Sequence, residues 1–212
     1  MKQELNPSDH PRVAAVVLAA GSSTRMGRNK LLLEVGGETL VRRTARSAVE
    51  AGLDEVVVVL GHEEPRIRAE LLGLACTLVV NPDHAEGAGT SLRTGVRHVS
   101  ARADALVVVL ADMPFVTAEM IAALAERHRD TRAPLVTSHY GGVQAPPTLY
   151  DRALFEELLQ VPADGGAKPV VLRHQGDAVA VTWPKSALRD IDAPGDYERA
   201  LAELAEGKGA PE

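Results

Sequence analysis

Short apolar runs and longer amphipathic stretches alternate along this chain. Val13–Leu18, Glu55–Leu60, Thr77–Val80 and Ala105–Leu110 are compact, rich in β-branched residues and bounded by turn residues. Runs of that length, apolar on both faces, predict strands buried inside a parallel sheet. Between them the period changes. Leu40, Val41, Thr44, Ala45, Ala48 and Val49 fall at helical spacing, closed by Gly52. Ile67, Leu71 and Leu74 predict a second helix, and the stretch from Glu86 to about Val99 a third. Met120, Ile121, Leu124 and Ala125 form the apolar face of a fourth, with Thr117 placed to cap it.

The second half is less regular. Leu135-Val136 predicts a brief strand, and 138–150, with its Gly-Gly and Pro-Pro pairs, a loop or hairpin leaving the main sheet. Leu154, Phe155, Leu158 and Leu159 make a helical stripe, and a short helix follows Gly165-Gly166 and runs to Leu172. Strands are predicted at 178–181 and 188–191, then a last helix with Pro194 in its first turn and Tyr197, Ala200, Leu201 and Leu204 inward. Strand–helix alternation of this kind predicts a single α/β domain, a three-layer α/β/α sandwich around a mostly parallel, Rossmann-like sheet. The domain is expected over 12–206, with polar tails at 1–11 and 207–212.

Composition narrows the class. A net charge of −6 and 3% aromatic residues give no support for a nucleic-acid surface. The apolar run at 13–20 is too short to span a bilayer, and the first twelve residues lack the apolar core of a signal peptide. The single cysteine, Cys76, excludes an intrachain disulfide and reads as a small buried hydrophobe. A cytoplasmic protein without nucleic-acid or membrane partners is expected. The seven histidines are dispersed and show no metal-ligand spacing.

Against that acidic background one stretch stands out. Leu18-Ala19-Ala20-Gly21-Ser22-Ser23-Thr24-Arg25-Met26-Gly27-Arg28-Asn29-Lys30 follows the first strand directly. Gly21 lets the backbone turn tightly, and successive N–H groups make an anion nest. Arg25 suits bidentate phosphate contact, and Lys30 is a mobile point charge. The spacing is not that of a P-loop, which needs four residues between its glycines and Lys-Ser/Thr directly after the second, nor is it a G-x-G-x-x-G. A surface loop with solvated charges has the same composition. Asp112 ends the fourth strand, where a carboxylate is a hard oxygen ligand for Mg²⁺ or the lead into a helix. Asn81 and the turn Glu86-Gly-Ala-Gly-Thr-Ser-Leu92 end the third, with amide and hydroxyl groups suited to a base or ribose edge or to holding the loop itself. Active groups in such sheets gather at the carboxyl ends of the strands.

These motifs, with Leu110-Ala-Asp-Met-Pro114, Asp164-Gly-Gly-Ala-Lys168 and Asp190-Ile-Asp192-Ala-Pro194 in the same order, resemble the molybdenum cofactor nucleotidyltransferases (MocA-like and MobA-like NTP transferases). That group lies within the wider glycosyltransferase-A-like, or nucleotide-diphospho-sugar transferase, fold. The resemblance covers about 12–205. It implies an enzyme that moves CMP from CTP to the terminal phosphate of the molybdenum-bound molybdopterin cofactor, releasing pyrophosphate, with Mg²⁺ as cofactor. Members with Leu-Ala-Ala-Gly at this place tend to use CTP and those with Leu-Ala-Gly-Gly GTP, so Ala20 implies the cytidylyl type.

The implied nucleotide contacts are Leu18, Ala19, Ala20, Gly21, Ser22, Ser23, Arg25, Lys30, Asn81, Gly89, Thr90 and Ser91. Arg25, Lys30 and Asp112 are the implied catalytic groups. Asp112 and Asp192 are the implied metal ligands, with Asp190 close enough to compete for the second place. Gln144 and Lys168 are assigned to the acceptor, Lys168 either binding phosphate or capping a helix. His84 stands where many members have Trp and Ala88 where many have Met, so base or pterin contacts differ there. A molybdenum hydroxylase is the implied recipient. GTP, a sugar or polyol phosphate acceptor, or a non-catalytic cofactor carrier are the competing readings.

Overall fold

The computed structural model describes residues 10–22, 29–188 and 197–198. Nearly all of the tails expected at 1–11 and 207–212, the strand expected over 188–191 beyond Leu188, and the last helix apart from Tyr197 and Glu198 lie outside the described residues.

The sheet grows outward from β1 (Val13–Ala19). On one side lie β4 (Glu55–Leu60) and then β5 (Thr77–Val80), and on the other β6 (Ala105–Leu110), all parallel. β8 (Val143–Asp151) runs antiparallel to β6, and β7 (Leu135–Tyr140) and β9 (Ala178–Trp183) complete the order β5-β4-β1-β6-β8-β7-β9. A two-stranded ribbon, β2 (Glu34–Val35) and β3 (Glu38–Thr39), stands apart.

The period of two in the strands decides the layers. Val13, Ala15 and Val17 face one core, formed with α1 (Leu40–Glu50), α2 (Glu64–Glu70) and α4 (Ala118–Thr131). Ala14 and Val16 face the other, formed with α3 (Ala88–Val99), α5 (Phe155–Leu159) and α6 (Lys168–Arg173). The sheet is thus covered on both faces, as its continuous apolar strands require. Thr117 caps α4 by accepting from the N–H of Met120. Among the described residues no helix is long and apolar enough to cross a membrane.

The stretch at 138–150 does not leave the sheet. β7 extends to Tyr140, and β8 occupies a place between β6 and β7. The prolines read as turn chemistry sit instead where the ladder is interrupted. β8 pairs with β6 only from Asp151 to Thr148, opposite Ala105 to Val108. Pro146 and Pro147 carry no N–H to donate, and the register against β7 shifts between Thr137 and Ser138. The sheet therefore parts beside the carboxyl end of β6, just before Asp112.

Candidate active site

β1 and β6 are neighbours in register, with Leu18 opposite Leu110. The two segments that follow therefore emerge side by side, and Ala111 donates to the carbonyl of Leu18. On the β1 side Ala19 and Ala20 are buried while Gly21 and Ser22 are exposed. Ser23 and Arg25 lie outside the described residues. The chain returns at Asn29, whose side chain accepts from the N–H of Leu31 and caps a single 3-10 turn, Lys30–Leu32. That turn aims Lys30 across the gap: Nζ is 2.7 Å from Oδ2 of Asp112. Lys30 and Asp112, far apart in sequence, form one mostly shielded ion pair at the edge of the sheet.

The other oxygen of Asp112, Oδ1, is buried and has no hydrogen-bond partner among the described residues. An orphaned carboxylate oxygen is costly unless a cation or donor meets it, and a hard oxygen fits a divalent metal. Asp192 lies outside the described residues, and among those described no group of three His, Cys, Asp or Glu gathers around a metal position.

Ala20 sits against a tight junction. The N–H of His62 donates to the Ala20 carbonyl. A Cβ built on Gly61 would lie 2.7 Å from Cβ of Ala20 and 2.6 Å from Cβ of His84. Position 61 therefore has no room for a side chain, and Ala20, Gly61 and His84 close one wall beside the exposed Gly21. His84 belongs to a 3-10 turn, and its ring is tilted against His62, 6.3 Å between centroids.

Asn81 is fully buried at the end of β5. Its amide donates to Thr90 Oγ1 at 2.8 Å and Ser91 Oγ at 3.0 Å, and its oxygen accepts from the N–H of Asp83. The Thr90 hydroxyl faces the carbonyls of Gly87 and Asp83. The sequence-predicted trio of Asn81, Thr90 and Ser91 is thus brought together, with its side chains turned toward one another. The adjoining glycines meet the segment that leads into Gly165-Gly166. A Cβ on Gly89 would fall 1.9 Å from the carbonyl oxygen of Pro162, and one on Gly87 2.4 Å from that of Ala163. The N–H of Gly89 donates to the Ala163 carbonyl. Residues 162–165 therefore press on the start of α3, and Lys168 begins α6 just beyond, exposed. Gln144 is exposed near the open end of β8, opposite His139.

Sequence reasoning passed over α1. Thr44 donates its hydroxyl to the Ala111 carbonyl at 3.3 Å, and Arg43 Nε donates to the Pro114 carbonyl at 2.9 Å. The signal was present: Thr44 is a hydroxyl within the apolar stripe of α1. Phe115, beyond Pro114, packs with Leu33, Val35 and Leu40, and Tyr197 donates to the carbonyl of Glu34 beside that cluster.

The family model described as the MobA-like NTP transferase domain matches residues 15–179, the span that carries these loops. The chain belongs to the MobA-like NTP transferase family. Its nucleotidyltransferase character follows from that membership. Purine catabolism protein PucB of Bacillus subtilis (strain 168) is 32% identical over 198 residues, covering 89% of this chain and 95% of that protein. The crystal structure of Rv0371c from Mycobacterium tuberculosis H37Rv superposes with a TM-score of 0.82 at 27% identity, covering 91% of this chain and 98% of that one. A structure of Rv0371c in complex with manganese gives 0.77 at 27% identity, over 90% and 98% of the two chains.

Proposed function

We propose that this nucleotidyltransferase transfers CMP from CTP to the terminal phosphate of a molybdopterin-type acceptor, with Mg²⁺ held by Asp112. The observation that carries the reading is the convergence of Lys30 and Asp112 where β1 and β6 end, with Oδ1 of Asp112 left without a partner among the described residues. The manganese complex of Rv0371c supports a divalent ion in a protein of this fold.

A phosphate monoester has a second pKa of about 6, so near neutrality the acceptor is already largely dianionic and attacks the α-phosphorus without a general base. The bond from that phosphorus to the bridging oxygen breaks, and pyrophosphate leaves. Catalysis then consists of positioning and charge neutralisation. The Gly21–Ser22 backbone approaches the triphosphate closely. Lys30 exchanges Asp112 for the β- and γ-phosphates as the nucleotide enters, and Arg25 adds a second cation there. A bound Mg²⁺ supplies Lewis-acid neutralisation of phosphate oxygens; Asp112 is its ligand, with Asp192 as the second. Ala20, backed by Gly61, narrows the slot beside Gly21 in the sense that favours cytosine over guanine. Gln144 and Lys168 lie toward the acceptor, and a molybdenum hydroxylase is the recipient of the product.

Pyrophosphate release with CTP, Mg²⁺ and molybdopterin tests the reaction, and thermal-shift measurement with CTP, GTP, ATP and UTP tests the nucleotide, since ligands of the folded state raise its stability. A shift with GTP alone overturns the cytidylyl assignment. Binding of the cofactor without pyrophosphate release makes the protein a carrier.

A further inference from the structure

We propose that Arg43 and Thr44, consecutive residues of α1, are positioning residues that set the carboxylate of Asp112 by holding the chain on either side of it. The inference rests on the reading of Asp112 as a metal ligand. β6 stays in the ladder through Leu110, and the last sheet bond is that of the Ala111 N–H to Leu18. Beyond it the strand gives no support. Within the turn the N–H of Met113 returns to Leu110 and that of Val116 to Met113, which closes the turn but leaves its orientation to outside contacts.

Two of those contacts, one on each side of Asp112, come from one helix, beside the Lys30 ion pair and the packing of Phe115 on Leu33, Val35 and Leu40. The Thr44 hydroxyl holds the carbonyl just before Asp112, and Arg43 Nε the carbonyl two residues after it. Thr44 is fully buried, so its hydroxyl has no water to turn to, and among the described residues no other donor is seen on the carbonyl it serves. The bond from Arg43 is charge-assisted and correspondingly stronger than one between neutral groups. The same helix also fixes Lys30. Leu40, its first residue, donates to the carbonyl of Leu33, and Leu31 packs in one core with Val41 and Ala45. α1 is therefore the common frame of the two charged groups, and a fixed relation between them follows from their attachment to one rigid element. A small displacement of a preorganised group costs much more in function than in stability.

The test is Mn²⁺ binding to the nucleotide-free protein, followed through the electron paramagnetic resonance signal of the free ion. Thr44→Val keeps the shape and removes the donor; Thr44→Ser restores it. Arg43→Met removes the second donor, and Arg43→Lys retains one. Thr44→Val and Arg43→Met are each expected to weaken Mn²⁺ binding about five- to tenfold, with Thr44→Ser and Arg43→Lys within about threefold of wild type. Asp112→Asn is expected to abolish binding. If Asp112→Asn abolishes binding while Thr44→Val and Arg43→Met bind as wild type does, the positioning role falls and the metal reading stands. A Thr44→Ser protein as weak as Thr44→Val also overturns it, because loss would then follow packing rather than the donor. If Asp112→Asn binds as wild type does, or wild type takes up no Mn²⁺, the metal reading falls and the proposal falls with it.

Discussion

Replacing Lys30 by methionine should move metal binding and turnover in opposite directions. At 2.7 Å the ammonium and the Asp112 carboxylate attract by about 6 kcal/mol at an effective dielectric of about 20. Desolvation of both groups cancels most of that, and for a pair whose side chains remain 15% and 21% exposed a net value of about 1–2 kcal/mol is reasonable. A divalent ion that meets Asp112 in the free protein must overcome this pair. Lys30→Met is therefore expected to bind Mn²⁺ about tenfold more tightly than wild type, since about 1.4 kcal/mol is a factor of ten. The same variant should lose about 10²-fold in kcat, the usual cost of one preorganised charge at a transferring phosphoryl group. Electron paramagnetic resonance titration of free Mn²⁺ and pyrophosphate release measure the two effects. Unchanged or weaker Mn²⁺ affinity would refute the exchange of partners, and near-wild-type turnover would remove Lys30 from the chemistry.

Ala20→Gly should lower the ratio of kcat/KM for CTP over that for GTP by about tenfold or more, the scale of a single methyl group in a shaped pocket; an unchanged ratio removes position 20 from base choice. Gly89→Ala should destabilise by about 1–3 kcal/mol, because its methyl would meet the Pro162 carbonyl, while Gly21→Ala, with open space around it, should melt as wild type does. Equal melting temperatures for these two would contradict the contact between 87–89 and 162–165. Arg46 beside Glu38 holds that carboxyl below its ordinary value of 4.5. A depressed carboxyl stabilises the fold above the unfolded value and loses the effect as pH falls through the folded one. Glu38→Gln should therefore lower the melting temperature by about 2–4 °C at pH 7, and by less below pH 4. An equal difference at both pH values counts against the pairing.

The layers and the place of the site were legible because strand burial and helix amphipathicity are written locally. Four apolar runs became β1, β4, β5 and β6, the last three at the bounds expected and β1 one residue longer, to Ala19, and their carboxyl ends carry the loops that the motifs marked. Within 138–150 the hairpin expected at the Gly-Gly pair is present, Tyr140 pairing with Val143, but it stays in the sheet: proline has the same local meaning in a turn and at an interrupted ladder, and only the pairing partner on each side, β6 and β7, distinguishes them. Asn81, Thr90 and Ser91 were legible as a polar group, but not that the amide would spend its donors on its neighbours. The sequence by itself determined a strand-helix alternation, a cationic loop after β1 and a carboxylate after β6. Tertiary structure alone decided that Lys30 reaches Asp112, that α1 holds the turn around that carboxylate, and that Gly87 and Gly89 admit the backbone at 162–165. Each of these is a contact between segments remote in sequence, and its geometry depends on how the sheet orders its strands, which no local pattern of residues encodes.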